Sequence, residues 1–208
     1  MVNMVNMRQA RIEDAPLVAW DLETATDQMF SFMLGSRWEQ LLIGVVNTPG
    51  NAWSIEHARI AEVDGKPLGV ILSGPSVVPE PDESFGLSWG WTRLRLTVVG
   101  FVFRPFLTLM RQHGVGAWHI TALSVMPEAR GRGVGRAMIL DAVEHARAAG
   151  MMSVTLDVDV HNTVATRLYE REGFEVQATS QNAWLASVFF PRSIFAGGVR
   201  VQRMRLII

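Results

Sequence analysis

The sequence predicts a single α/β domain, on three observations. The chain has 208 residues, ~1.4 times a typical domain of ~150, which favours one domain carrying an insertion over two domains. Apolar residues make up 49% and charged residues 19%, enough for a sizeable core and too apolar for a disordered chain. Strand-like and helix-like runs alternate from Ala117 onward, and an Asp64-Gly65 pair between two apolar runs marks a hairpin upstream.

The elements follow in order. Met7 to Ile12 reads as a short strand. Glu13-Asp14-Ala15-Pro16 then supplies an N-cap and a first-turn proline for a helix carrying Leu17, Val18, Trp20 and Leu22. A second helix fits Gln28 to Ile43, with Met29, Phe30, Met33, Leu34, Trp38, Leu41 and Leu42 at helical spacing. Strands are expected over His57 to Val63 and Pro67 to Leu72. Residues 79–114, with Trp89, Trp91, Phe101, Phe103 and Phe106, read as one or two inserted apolar helices. Extra core, a dimer patch and a substrate lid all stay open for that insertion. Ala117 to Val125 is a strand, Met126 to Arg132 a turn, and Gly133 to Ala149 a helix closed by Gly150. A strand from Met152 to Val160, a helix from Asn162 to Arg171, a strand from Phe174 to Thr179 and a final strand from Val199 to Ile208 complete the pattern.

Composition removes several classes of function. A formal charge of -1 provides no global basic field for nucleic acid, and Asp141 and Glu144 beside the arginine-rich turn argue against a local one. Zero cysteines exclude disulfides, thiolate metal sites and a cysteine nucleophile. Five scattered histidines show no metal-ligand spacing, so no metal is expected. Met1 to Met7 shows neither a basic nor an apolar signal region. The longest apolar stretch, Leu96 to Met110, is broken by Arg104-Pro105 and falls short of the ~20 residues of a membrane span. A soluble, cytoplasmic protein with no membrane span is the expectation.

The chemistry concentrates in the turn after Val125. Gly131, Gly133 and Gly135 are three glycines within five residues, so the backbone can turn tightly with its N–H groups unshielded. Those groups lie at a helix N-terminus, where free donors and the helix dipole favour an anion. Arg130, Arg132 and Arg136 add positive charge suited to phosphate oxygens. The lysine and hydroxyl residue of a P-loop are absent, and the glycine spacing differs from the dinucleotide fingerprint.

Here the chain resembles the GNAT superfamily of N-acetyltransferases. Arg130-x-x-Gly133-x-Gly135 matches its acetyl-CoA pyrophosphate motif. Downstream, Asn162-x-x-Ala165-x-x-Leu168-Tyr169-x-x-x-Gly173-Phe174 matches its second signature. The clear match covers about Trp118 to Val176. The resemblance implies a mixed, mostly antiparallel sheet with helices on both faces and central strands splayed to admit acetyl-CoA, within one domain over 1–208. It also implies acetyl transfer to a primary amine, on a small molecule or a peptide; with no cysteine to form an acetyl-enzyme, direct attack in a ternary complex is preferred.

Site residues follow from the same resemblance. The pantetheine arm would lie along Leu123, Ser124 and Val125, whose backbone N–H groups would polarise the thioester. The diphosphate would sit on the turn from Arg130 through Gly131, Arg132, Gly133, Val134 and Gly135 to Arg136, with Asn162 beside the pantetheine. Tyr169 aligns with the general acid, and a phenol stays protonated at neutral pH. The base position of some family members falls on His119, expected to share a face with Thr121 and Leu123. Asp157 and Asp159 share the next strand's face, where either could orient a substrate ammonium or work through water, or one could cap the following turn. A reading from another class is a catalytically silent acyl-CoA-binding sensor. Dimers are common in the family, which makes a homodimer a partner to consider, with the arginine-studded final strand as its pairing edge.

Overall fold

The computed structural model describes residues 5–26, 28–76, 116–181 and 200–208. Among these, seven strands form one sheet: β1 (Asn6–Gln9), β2 (Ala58–Val63), β3 (Lys66–Pro75), β4 (Ala117–Val125), β5 (Ser153–Asp159), β6 (Glu175–Gln181) and β7 (Arg200–Ile207). Their spatial order is β1-β2-β3-β4-β5-β7-β6. Neighbours are antiparallel except β4 and β5, which a helical crossover joins in parallel. The described helices are α1 (Ala15–Ala25), α2 (Met29–Leu34), α3 (Trp38–Val46), α4 (Val134–Ala148) and α5 (Thr163–Arg171).

The sheet carries a core on each face. On one side Val18, Ala19 and Leu22 of α1, Phe30 of α2 and Leu42 and Val46 of α3 cover Ile60, Val70, Leu72 and Ala122. On the other, Val134, Met138, Ile139, Ala142 and Ala146 of α4 join Tyr169 of α5 over Ile71, Ile120, Leu156 and Met204. The expected hairpin is present: Asp64 and Gly65 both have positive φ (52° and 75°), as a two-residue turn between twisted strands requires, and Val63 pairs with Lys66.

Some boundaries differ from the sequence reading. The helix expected over 28–43 is two helices, because Gly35 takes φ +67° and a 3-10 turn over Gly35–Arg37 re-aims the chain. The first strand stops at Gln9, where the chain enters a 3-10 turn over Ile12–Asp14. Asp14 holds this entry together, accepting from the Arg11 N–H at 2.8 Å and from the Arg8 guanidinium at 2.6 and 3.0 Å. Arg8 also donates to Glu62 at 2.8 Å. The Arg8 guanidinium holds the Asp14 carboxyl below the usual carboxylate range. A depressed pKa means stability that is present above the ordinary carboxylate pKa and lost as pH falls through the folded value. Arg8→Ala is expected to cost about 1–3 kcal/mol at pH 7, read from urea unfolding, with the deficit shrinking at pH 3.

The final strand is not available as a pairing edge. β7 lies between β5 and β6 and pairs with both, Leu156↔Met204 on one side and Val176↔Met204 on the other. The insertion read at 79–114 lies outside the described residues.

One irregularity re-aims the central strand. The β3–β4 register runs Leu72↔Ala122 and then Ser73↔Ile120, so Thr121 is an extra residue and a bulge. Alternation therefore slips by one at Thr121. Ile120 and Leu123 both turn to the α4 side, whereas Ala122 turns to the α1 side. His119 consequently does not share a face with Leu123, as unbroken alternation would require. It points to the α1 side, its Nδ1 3.1 Å from the hydroxyl of Thr155 on β5.

Candidate active site

The central feature is an opening between β4 and β5. The two strands pair only from Ala117↔Ser153 to Ile120↔Leu156. Beyond Ile120, β4 stays with β3, through Leu123↔Ile71, Ser124↔Val70 and Val125↔Gly69. β5 instead stays with β7, through Asp157↔Arg203 and Asp159↔Val201. The bulge at Thr121 stands where the strands part, and a bulge sharpens local twist and bends its strand. Among the described residues the β5-facing edge of residues 121–125 has no strand partner, and such an edge can take a ligand's amide groups as a strand would.

Both signature segments reach this opening because β4 and β5 are parallel and their C-terminal ends lie together. After β4 the chain makes a 3-10 turn over Pro127–Ala129 and passes Gly131 (φ +73°) and Gly133 (φ +82°) before α4 begins at Val134. A Cβ added at Gly131 or Gly133 would meet nothing within 4 Å. These glycines are needed for the left-handed backbone. Gly135 differs: its Cβ would lie 3.0 Å from Cδ2 of Leu168, so it lets α4 close against α5. Among the described residues no acceptor takes the N–H groups from Gly131 to Arg136, and free first-turn donors make an anion site. The arginines have separate surroundings. Arg130 donates from Nε to the Val125 carbonyl at 3.3 Å, Arg136 pairs with Glu172 at 3.0 Å, and Arg132 is exposed.

After β5, Asn162 caps α5, its Oδ1 accepting from the Ala165 N–H at 3.1 Å. Seven residues on, Tyr169 is buried, its ring 5.8 Å from that of Phe174. Burial pushes its hydroxyl up to about 12, with the Asp21 carboxyl adding to the shift.

The acetyltransferase (GNAT) family model matches residues 47–174, 128 of the 208 residues. The chain belongs to the GNAT acetyltransferase family. It is 31% identical over 125 residues to a mycothiol acetyltransferase of Thermomonospora curvata, covering 59% of this chain and 34% of that protein. It is 40% identical over 73 residues to the mycothiol acetyltransferase of Thermobispora bispora, covering 35% of this chain and 22% of that protein. The chain thus spans about a fifth to a third of these relatives' length. Among solved structures it resembles a GCN5-related N-acetyltransferase from Kribbella flavida (TM-score 0.60, 20% identity, 98% of each chain). It also resembles the ribosomal-protein-S18-alanine N-acetyltransferase from Escherichia coli (TM-score 0.58, 15% identity, 99% and 94% of the two chains). At these identities the structures share the fold.

In this GNAT chain the opening gathers Leu123 to Val125, the glycine turn and Asn162 at one end of the sheet. His119 stands apart, within the paired segment at the closed end and on the α1 side. The Asp157 carboxylate is engaged by a two-bond pair with Arg203, both at 2.9 Å. Asp159 caps the next turn, accepting from the His161 N–H at 2.7 Å. Among the described residues no three His, Asp or Glu side chains gather as a metal site, and no helix is long and apolar enough to cross a membrane.

The sequence reading missed Asp21. It lies on the inward face of α1 among Val18, Ala19 and Leu22, is fully buried, and among the described residues neither carboxyl oxygen has a partner within hydrogen-bond distance. The neighbouring Ser124 hydroxyl donates at 3.5 Å to the Asp21 main-chain carbonyl and, as the lesser influence on the carboxyl, works against the effect of burial. Burial therefore dominates and pushes the carboxyl up to about 8. A signal existed: an acid three residues after Val18 and one before Leu22 falls within an apolar helical stripe.

A raised pKa has a definite consequence for stability. Between the unfolded value of ~4 and the folded value, the folded chain holds a proton that the unfolded chain has lost. Stability then falls with rising pH by at most about 1.4 kcal/mol per unit. Asp21→Asn removes this slope. Urea midpoints at pH 5 and 7.5 should separate for wild type and stay closer for Asp21→Asn; identical pH dependence in the two proteins would refute the assignment.

Proposed function

We propose that this chain transfers an acetyl group from acetyl-CoA to a primary amine by direct attack in a ternary complex. The observation that carries this reading is the opening between β4 and β5, with the glycine turn and its free N–H groups following β4. The residues suit the co-substrate. Free N–H groups from Gly131 to Arg136 and the charges of Arg130, Arg132 and Arg136 match a diphosphate. The edge of Leu123, Ser124 and Val125, unpaired among the described residues, matches the amides of a pantetheine arm. Asn162 lies at the facing lip.

Within that arrangement the β4 main chain would polarise the thioester carbonyl. Tyr169, protonated throughout the neutral range, would donate to the departing sulfur. With no cysteine in the chain, no acetyl-cysteine stage is available, and the amine must attack the thioester itself. A small-molecule amine and a peptide amine are the two acceptor classes.

The test is thiol release from acetyl-CoA in the presence of an amine panel, followed with a thiol reagent. A cysteine-free protein contributes no background. Amine-dependent CoA release is expected. Tight acetyl-CoA binding with no release for any amine would favour the silent sensor instead.

A further inference from the structure

We propose that the cleft where α1, α2 and α3 meet is a binding site for an alkylammonium cation. The cleft has a volume of about 390 Å³ and is lined by Trp20, Glu23, Thr24, Gln28, Ser31 and Trp38. That volume suits a compact organic ligand. Two indoles and one carboxylate in so small a space are the groups that recognise an organic cation. Such a site goes beyond acetyl transfer and does not require it.

The walls come from one short reversal of the chain. Trp20, Glu23 and Thr24 stand three and four positions apart on α1, so they share one flank of that helix. After Ala25 the chain turns back, with Gln28 at φ +64° and its N–H donating to the Glu23 carbonyl at 2.9 Å. The Phe30 and Ser31 N–H groups then donate to the Glu23 carboxylate at 3.0 and 3.1 Å. Those bonds fix the carboxylate in the wall of the cleft. Trp38 opens α3 and packs on the α1-side core, which gives its indole a rigid seat.

Charge and aromatic surface together select the ligand. Glu23 is 6% exposed, and a buried carboxylate ordinarily meets a cation. Asp14 meets Arg8 and Asp141 meets Arg59 in this way. Among the described residues no arginine, lysine or histidine pairs with Glu23, whose partners are main-chain N–H groups. Its position on the wall leaves that place to a cation entering the cleft. Trp20 is half-buried and belongs to neither core; it shares the cleft with Trp38. Indole faces attract cations, more strongly where water is excluded. Both Glu23 oxygens already accept N–H bonds, so a forked guanidinium is served less well than an ammonium whose alkyl groups rest on the indoles. Thr24, Gln28 and Ser31 add hydroxyl and amide groups for the rest of the ligand.

The experiment titrates choline into wild type, Glu23→Gln and Trp20→Leu by calorimetry. The control ligand is the uncharged isostere of choline, in which a tert-butyl group replaces the trimethylammonium. Circular dichroism checks that each variant is folded. Wild type is expected to bind choline at one saturable site, with the isostere at least about tenfold weaker. Glu23→Gln should lose most of that preference. Trp20→Leu changes a side chain outside both cores and should weaken choline about tenfold; it decides alone if Glu23→Gln unfolds. Equal affinity of wild type for choline and its isostere overturns the site. So does the lack of saturable choline binding, or choline affinity unchanged in every folded variant. Acetyl-CoA is titrated into the same samples: failure of wild type to bind it overturns the acetyl-transfer reading and leaves this site standing.

Discussion

Gly133→Glu is expected to abolish measurable acetyl-CoA binding while the chain stays folded. Gly133 has φ +82° and a Cβ direction free of neighbours within 4 Å, so the new side chain enters open space above the turn. Its backbone strain costs about 1–2 kcal/mol. That space lies over the free N–H groups preceding and opening α4, where the diphosphate should rest. A carboxylate there opposes a second anion at close range, worth roughly 2–4 kcal/mol or a 30- to 1,000-fold loss of affinity. Gly133→Ala carries the same strain without the charge and is expected to keep affinity within about tenfold. Calorimetric titration of the three proteins decides the matter. Affinity unchanged in Gly133→Glu would place the diphosphate elsewhere.

Tyr169→Phe is expected to lower kcat by about 10²- to 10⁴-fold with acetyl-CoA affinity unchanged. The ring stays packed 5.8 Å from Phe174, so the substitution removes a proton donor and little else. A hydroxyl pushed up to about 12 remains protonated across the neutral range, so wild-type kcat should show no descending limb below about pH 10. Since its folded pKa exceeds its unfolded value, the phenol's share of stability is intact below about pH 10 and lost as pH rises towards 12. Full turnover by Tyr169→Phe would remove the hydroxyl from the mechanism.

Much of this fold could be read directly from the chain, because its signals are local. Asp64-Gly65 specifies a two-residue turn through its own backbone preferences, and Gly150 closes α4 at φ +69° for the same reason. The glycine turn was equally plain. Gly131 and Gly133 encode left-handed backbone, and a helix start brings its unpaired donors with it whatever surrounds it. The misreadings involve partners distant in sequence. Asp157 was a candidate for binding substrate until Arg203, 46 positions away, was found to hold it. Val199 to Ile208 read as an edge that could pair across an interface, yet β7 fills the space between β5 and β6.

The sequence by itself determined the strand–turn–helix that can hold a diphosphate, the second signature ending in Gly173-Phe174, the absence of a thiol route and the family that these motifs announce. Each depends on residue identity and short spacing alone. Only the tertiary structure decided which groups face the gap. A single extra residue at Thr121 turned His119 to the α1 side, and strand periodicity carries no record of a bulge. Asp21 became a buried acid because α1 packs against β3 and β4, with no ion pair to it among the described residues. Desolvation is imposed by neighbours that the chain brings together only on folding, so this acid acquired its chemistry from the fold.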